Sequence, residues 1–310
     1  MTRVVVAGVV SLRVARSVPS FPVPFVPSQR QPDGIHIRLA SQGWTMVRVL
    51  QCLGTDVGFA TYVGADLVGQ TVTDGLRRCG LYGPATLVCA EQPRTMVLSD
   101  GSGRRASARD LRGVQDLRYP ADVFASILNA KPTSAAILTN VDFVRPLIPV
   151  ALEQRVPIVT DLQLVDDVDH SRSQDWLRAA SIVSCSHENL PISPEAWVRS
   201  LWRRYGTDVV LVGCGPSGAV VGVRELGRVW RVDAITPRGV RYTSGAGDTL
   251  LATFLHHYLA QRDPVAALRW AVLAAGWKIG GGASEEPGLS AAFLAEIRAH
   301  HGLPEVRQLD

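Results

Sequence analysis

Disulfide frameworks, zinc ribbons, membrane spans and nucleic-acid tracks each leave a compositional mark, and this 310-residue chain carries none of them. Its five cysteines (Cys52, Cys79, Cys89, Cys185 and Cys214) are odd in number, widely spaced and never form a C-x-x-C pair. That pattern indicates neither a disulfide scaffold nor a zinc site, and a reduced, cytoplasmic protein is expected. No apolar run reaches the roughly 20 residues that cross a bilayer. The arginine-interrupted start MTRVVVAGVVSLRVAR is not followed by a small-residue cleavage site, so neither a signal peptide nor a membrane partner is expected. Lysine is nearly absent, with Lys131 and Lys278 the only two among 32 basic residues. The arginines that carry the remaining charge are scattered among acids, as Arg77 and Arg78 are near Asp74, and the net charge is only +4. No basic run of the kind that tracks a nucleic acid is present. What the chain does have is 46% hydrophobic residues, too many for disorder and enough for a large core.

Short apolar runs alternate with amphipathic segments. Residues 3–9 read as a buried strand, and Trp44, Val47, Leu50 and Leu53 fall at the spacing of a helix over 43–53 that ends at Gly54. A strand over 58–63 and a helix over 68–79, stopped by Gly80, follow. The runs at 135–138, 157–160, 182–184 and 209–212 read as strands, and 144–154 and 194–205 as helices. Such alternation implies parallel strands joined by crossovers, with helices on both faces of the sheet.

Two stretches break the rhythm. Pro19, Pro22, Pro24, Pro27 and Pro32 exclude a helix over 17–38, and residues 85–109 alternate short β-like runs around a turn at Asp100-Gly101-Ser102-Gly103. Both are assigned to a small antiparallel sheet, a discontinuous lid built from about 11–40 and 85–112 on a single domain of residues 1–310. Residues 300–310 are expected to form a loose tail.

The chemistry concentrates at residues 243–249, TSGAGDT, which lead into LLATFLHHYLA. There Leu250, Leu251, Phe254, Leu255, Tyr258 and Leu259 mark one apolar face of a helix. The first N–H groups of a helix lack internal partners and carry the positive end of its dipole. Two glycines let the backbone approach a ligand, so the turn is suited to an anion such as a phosphate in transit. Asp248 falls in the first turn, where a carboxylate can take a proton from an attacking hydroxyl. An ordinary helix start, with an acid favoured by the dipole, accounts for the same residues.

TSGAGD resembles the DTxGAGD signature of the ribokinase-like PfkB family of carbohydrate and nucleoside kinases. Further resemblances are the run GTDVGFATYVGADLVG at 54–69, Asp161 after a strand, Glu188 in a degenerate N-x-x-E motif, and a G-x-x-G turn at Gly215 and Gly218. The resemblance implies a three-layer α/β/α sandwich with a mainly parallel sheet and a small antiparallel β lid. It implies an ATP- and Mg2+-dependent kinase acting on a hydroxyl of a sugar, nucleoside or related small alcohol. Asp248 would be the base, with Gly245, Ala246 and Gly247 forming the anion hole. Ser244, Gly215 and Gly218 would face the nucleotide, Glu188 the metal, and Gly43 and Thr45 the acceptor. Apart from the resemblance, Lys278 before Gly280-Gly281-Gly282 either approaches the nucleotide phosphates or is a cation favoured at a helix C-terminus, and Arg13 is assigned to the acceptor. Family members dimerise through the lid, so a homodimer is expected.

The chain departs from the pattern in places. The stretch after the first strand, Val9-Val10-Ser11-Leu12-Arg13, has no acid to grip sugar hydroxyls. Thr45 and Cys185 stand where the family has Asn, and Tyr242 where its signature opens with an acid. A site built to bond a diol discriminates poorly without those groups. The acceptor is therefore an atypical one, or the chain is a non-catalytic nucleotide- or metabolite-binding descendant. Arg13 and Arg38 beside the lid favour an anionic substrate. The literal G-x-G-x-x-G at 213–218 is followed by a β-like run rather than a helix, which makes it a hairpin turn and not a dinucleotide fingerprint. His256, His257, Trp270 and Trp277 are assigned to helix packing, and Asp166, Asp167 and Asp169 with His170 to a solvated loop.

Overall fold

The computed structural model describes residues 2–32, 34–100, 102 and 104–309. Four strands open the chain: β1 (Arg3–Ala7), β2 (Ser11–Ser17), β3 (Ile35–Ala40) and β4 (Asp56–Gly64). They are followed by β5 (Thr86–Cys89), β6 (Arg94–Ser99) and β7 (Arg105–Asp110). The second half supplies β8 (Ala135–Leu138), β9 (Ile158–Asp161), β10 (Ile182–Ser186) and β11 (Val209–Gly213). The last three strands are β12 (Ala219–Val223), β13 (Arg228–Val232) and β14 (Val306–Leu309).

Ten of these strands form one sheet in the order β14-β13-β12-β11-β10-β9-β8-β1-β4-β5. From β11 to β5 every pairing is parallel, and β12, β13 and β14 add an antiparallel edge. The run VVV of β1 is buried on both sides, as a central parallel strand requires. Val4 and Val6 enter one hydrophobic layer while Val5 and Ala7 enter the other.

The first layer is covered by α1 (Gln42–Cys52), α2 (Leu67–Arg78), α7 (Ala246–Gln261), α8 (Pro264–Ile279) and α9 (Ala291–His301). The second is covered by α3 (Ala121–Asn129), α4 (Leu147–Glu153), α5 (Gln174–Ala179) and α6 (Pro194–Tyr205). The result is the expected α/β/α sandwich. The chain passes from β1 to β4 and β5 on one side, then returns through β8, β9, β10 and β11 on the other. Open α/β sheets bind ligands outside the carboxyl ends of their strands at such a reversal.

A separate four-stranded sheet, ordered β3-β2-β6-β7, forms the lid. Its β2–β3 and β6–β7 pairs are antiparallel, and β2 pairs β6 in parallel. Two expectations need correction. The start of the 85–112 segment is not lid, because β5 pairs β4 at the edge of the main sheet. The 300–310 segment is not a loose tail: α9 runs to His301, and Val306–Leu309 pairs β13 as the last strand of the main sheet. Alternating side chains cannot reveal such an edge strand when its residues are exposed, as Val306, Arg307 and Gln308 are. At the lid turn, Asp100 Oδ1 accepts from Ser102 and Arg104; Gly101 and Gly103 lie outside the described residues.

Candidate active site

The helix start predicted from TSGAGD is α7. Gly245, its N-cap, has φ 85°, a conformation that costs a residue with a side chain about 1–2 kcal/mol. The Thr249 N–H and Oγ1 both donate to the Gly245 carbonyl, at 3.0 and 2.8 Å, which fixes the turn. Ala246 N–H donates to Thr243 O at 3.2 Å. Among the described residues no backbone oxygen accepts from the N–H of Gly247 or Asp248. A side chain added at Gly247 would meet nothing within 4 Å, so these donors of the first turn border open space.

Asp248 is half-buried beside them. Burial raises its carboxyl above the ordinary range, and the charges of Arg13, Arg109, Lys278 and Arg105 pull it back. A second acid, Asp161, closes β9 and is buried. Burial, then the negative charge of Asp248, pushes Asp161 up to about 7. Its oxygens accept from Gln163 N–H at 3.0 Å and from Gln42 Nε2 at 2.9 Å. Ser41, which precedes Gln42, and Gln163 both adopt left-handed backbone, with φ 83° and 60°. Such conformations are uncommon outside glycine and concentrate at functional sites.

Lys278, near the end of α8, is turned toward the anion loop. Its Nζ donates to Tyr242 O at 3.0 Å and to Ser244 O, and lies 4.9 Å from the Tyr242 ring centre. Burial, then Arg38 and Arg13, lowers Lys278 to about 7. Its Nζ therefore sits against the carbonyl side of the loop. Arg13, on β2 of the lid, donates to Ser244 Oγ at 2.9 Å and Tyr242 Oη at 3.4 Å. Thr45 of α1 also reaches the loop: its Cγ2 is 3.6 Å from where a Gly245 side chain would begin.

The remaining residues singled out in the sequence lie around this centre. Gly43 is a close-approach glycine, since a Cβ there would stand 2.8 Å from the Gly8 carbonyl carbon. Gly215 and Gly218 (φ 54° and 83°) turn the chain between β11 and β12, an antiparallel hairpin as expected. A Cβ at Gly218 would fall 2.0 Å from Val232 O. Glu188, in the loop after β10, is exposed, and its N–H donates to Ser186 Oγ at 3.3 Å. No cluster of three His, Cys, Asp or Glu side chains able to hold a metal occurs among the described residues. His257 stacks on Trp270 at 4.8 Å, and Asp169 pairs with Arg204 at 2.7 Å, so those groups are structural. No helix among the described residues is long and apolar enough to cross a membrane. Sequence reasoning missed Gln42, Gln163 and Arg109, because the start of α1, the end of β9 and the lid register, not motifs, bring them here.

Comparison with known proteins agrees with this architecture. The model of the "pfkB family carbohydrate kinase" matches residues 174–289, which include Glu188, both hairpin glycines and the anion loop. A Mycoplasma pneumoniae protein named "Putative 1-phosphofructokinase" is 28% identical over 154 residues, 46% of this chain and 50% of that protein. The match thus spans half the length of this curated relative. Among solved structures, the microbiome-derived acarbose kinase Mak1 superposes with a TM-score of 0.85 at 23% identity, covering 96% of this chain and 99% of that one. Arabidopsis thaliana ribokinase, solved with ribose and ATP, gives 0.76 at 16% identity, covering 96% and 99%. The Burkholderia thailandensis nucleoside kinase, solved with inosine, gives 0.74 at 15% identity, covering 97% and 100%. The fold is ribokinase-like, and residues 174–289 carry the PfkB family's pattern upon it.

Proposed function

We propose that this chain is an ATP-dependent kinase that phosphorylates a hydroxyl of a sugar, nucleoside or related small alcohol. The observation that carries the reading is the start of α7, where the open amides of Gly247 and Asp248 adjoin the half-buried Asp248 carboxylate. An acceptor hydroxyl bonded to Asp248 lies beside a site for the phosphate it attacks. Asp248 takes the hydroxyl proton as the oxygen bonds to the terminal phosphorus, and ADP leaves with the electrons of the broken P–O bond. The amides of Gly245, Gly247 and Asp248 stabilise charge on the transferring phosphate, whereas the Ala246 N–H expected among them is taken by Thr243 O; Lys278 supports the loop from behind, and the Ser244 hydroxyl borders it.

The turn through Gly215 and Gly218 is assigned to the nucleotide. Magnesium fits the site as an ion held chiefly by nucleotide phosphates and water, with exposed Glu188 as its protein anchor. It would supply charge neutralisation between the phosphates. The reading places the enzyme in the cytoplasm, where its five free cysteines stay reduced. It also places a homodimer contact on the outer lid face, where Ile37 and Met96 flank Val14 in one cross-strand row.

A non-catalytic binding protein is the second reading. It is favoured by Val9–Arg13, which holds no acid, and by Cys185, which is no amide and whose buried thiol is pushed further from ionisation. Release of ADP in the presence of an acceptor separates the two. An enzyme shows acceptor-dependent release that Asp248→Asn abolishes, and a binding protein takes up ATP without it.

A further inference from the structure

The inner face of the lid carries a row of arginines. Its register sets Arg38 directly opposite Arg13, Arg13 opposite Thr95, and Thr95 opposite Arg109. Ala15 and Val97, two residues further along the same strands, are buried against Tyr242. Arg13 and Arg38 therefore face the anion loop, while Arg109 at the end of the row is exposed. Directly opposed residues share a face, and like charges so placed destabilise a sheet. Among the described residues none of the three guanidinium groups forms an ion pair, and their side-chain bonds go to uncharged acceptors. Arg13 reaches Ser244 Oγ and Tyr242 Oη, Arg38 reaches Glu285 O at 2.9 Å, and Arg109 reaches Gln163 Oε1 at 3.0 Å. The Glu285 carboxylate is itself taken by Arg238.

Both Arg13 Nε and Arg38 Nε are buried with no hydrogen-bond partner among the described residues. A buried charged donor left unmet is costly, and two adjacent ones mark a place for an anion. Planar guanidinium pairs match the oxygens of a phosphate. The row also stands over the proposed base, since Arg13 and Arg109 act directly on the Asp248 charge. The stretch after β1, Val9–Arg13, holds no acid to grip a neutral diol.

We infer that the Arg13–Arg38 pair binds a phosphate carried by the acceptor, so that the preferred substrate is a phosphorylated small alcohol and the product a bisphosphate. This rests on the kinase reading of the same site. The terminal phosphate of ATP is the other source of the same chemistry, and the arms of the test separate the two.

Isothermal titration of nucleotide-free protein with inorganic phosphate, glucose 6-phosphate and glucose tests the site without turnover. Wild type binds the two phosphate probes at millimolar concentration or below and glucose more weakly. In Arg13→Met and Arg38→Met the phosphate Kd rises roughly 10- to 100-fold, the span of one or two charged hydrogen bonds. Arg13→Lys recovers part of the loss, and the Kd for ATP moves less than about threefold. In the ADP-release assay, phosphorylated acceptors exceed their unphosphorylated counterparts in kcat/KM. The inference is overturned if wild type binds neither phosphate probe, if the substitutions weaken ATP instead, or if unphosphorylated acceptors are preferred. The wild-type comparison of glucose 6-phosphate with glucose decides even where a variant melts early. Loss of phosphate binding leaves the kinase reading standing, and absence of turnover leaves the phosphate site standing.

Discussion

Asp161 and Asp248 share one end of the sheet, yet the groups around them differ. Asp161 is enclosed and hydrogen-bonded by Gln42 and Gln163, whereas Asp248 faces Arg13, Arg109, Lys278 and Arg105. With Asp161 raised from 3.8 to about 7, the folded protein holds a proton there that the unfolded chain releases. Its contribution to stability is complete below about pH 4 and is lost as pH rises through about 7. Asp161→Asn is therefore expected to flatten the fall of Tm between pH 5 and pH 8. A Tm drop over that range as steep as wild type contradicts the assignment. The start of α7 is legible in the sequence, because TSGAGD sets Asp248 and the loop amides within six consecutive residues. The Arg38–Arg13–Thr95–Arg109 row was not legible, since it arises only when β2, β3, β6 and β7 pair in one register.

Elements show the same division between local and long-range information. The strands at 135–138 and the helix at 194–205 coincide with β8 and α6, whose bounds are set by buried apolar runs and by the Ser193–Pro194 helix start. The roles of β5 and β14 depend on partners elsewhere in the chain, so their four-residue runs alone do not distinguish the main sheet from lid or tail. The turn into α7 depends on one glycine. Gly245→Ala forces a side chain into φ 85° and is expected to cost about 1–2 kcal/mol in denaturant unfolding. Because the strain falls on the anion loop, kcat drops while the Kd of an acceptor changes little. Unchanged stability and unchanged kcat would show that the loop does not need this conformation.

The whole molecule joins a rigid sheet to a lid across its carboxyl-end crevice. Arg13, Arg38 and Arg109 each bridge from the lid to a different loop of the core: the anion loop, the segment after α8 and the segment after β9. The outer lid face is apolar, with Ile37 64% and Met96 54% exposed. Exposed apolar rows on a lid sheet mark an association surface. Ile37→Asp with Met96→Asp is expected to convert a dimer to a monomer in sedimentation velocity, and a wild-type monomer at micromolar concentration contradicts the contact. The most direct test of the account is ADP release from Mg·ATP across phosphorylated and unphosphorylated sugars and nucleosides, run beside Asp248→Asn. Acceptor-dependent release that falls roughly 100- to 10,000-fold in the variant, with ATP binding retained, is the predicted result. Release that survives Asp248→Asn, or wild-type protein that binds ATP and turns over no acceptor, would contradict it.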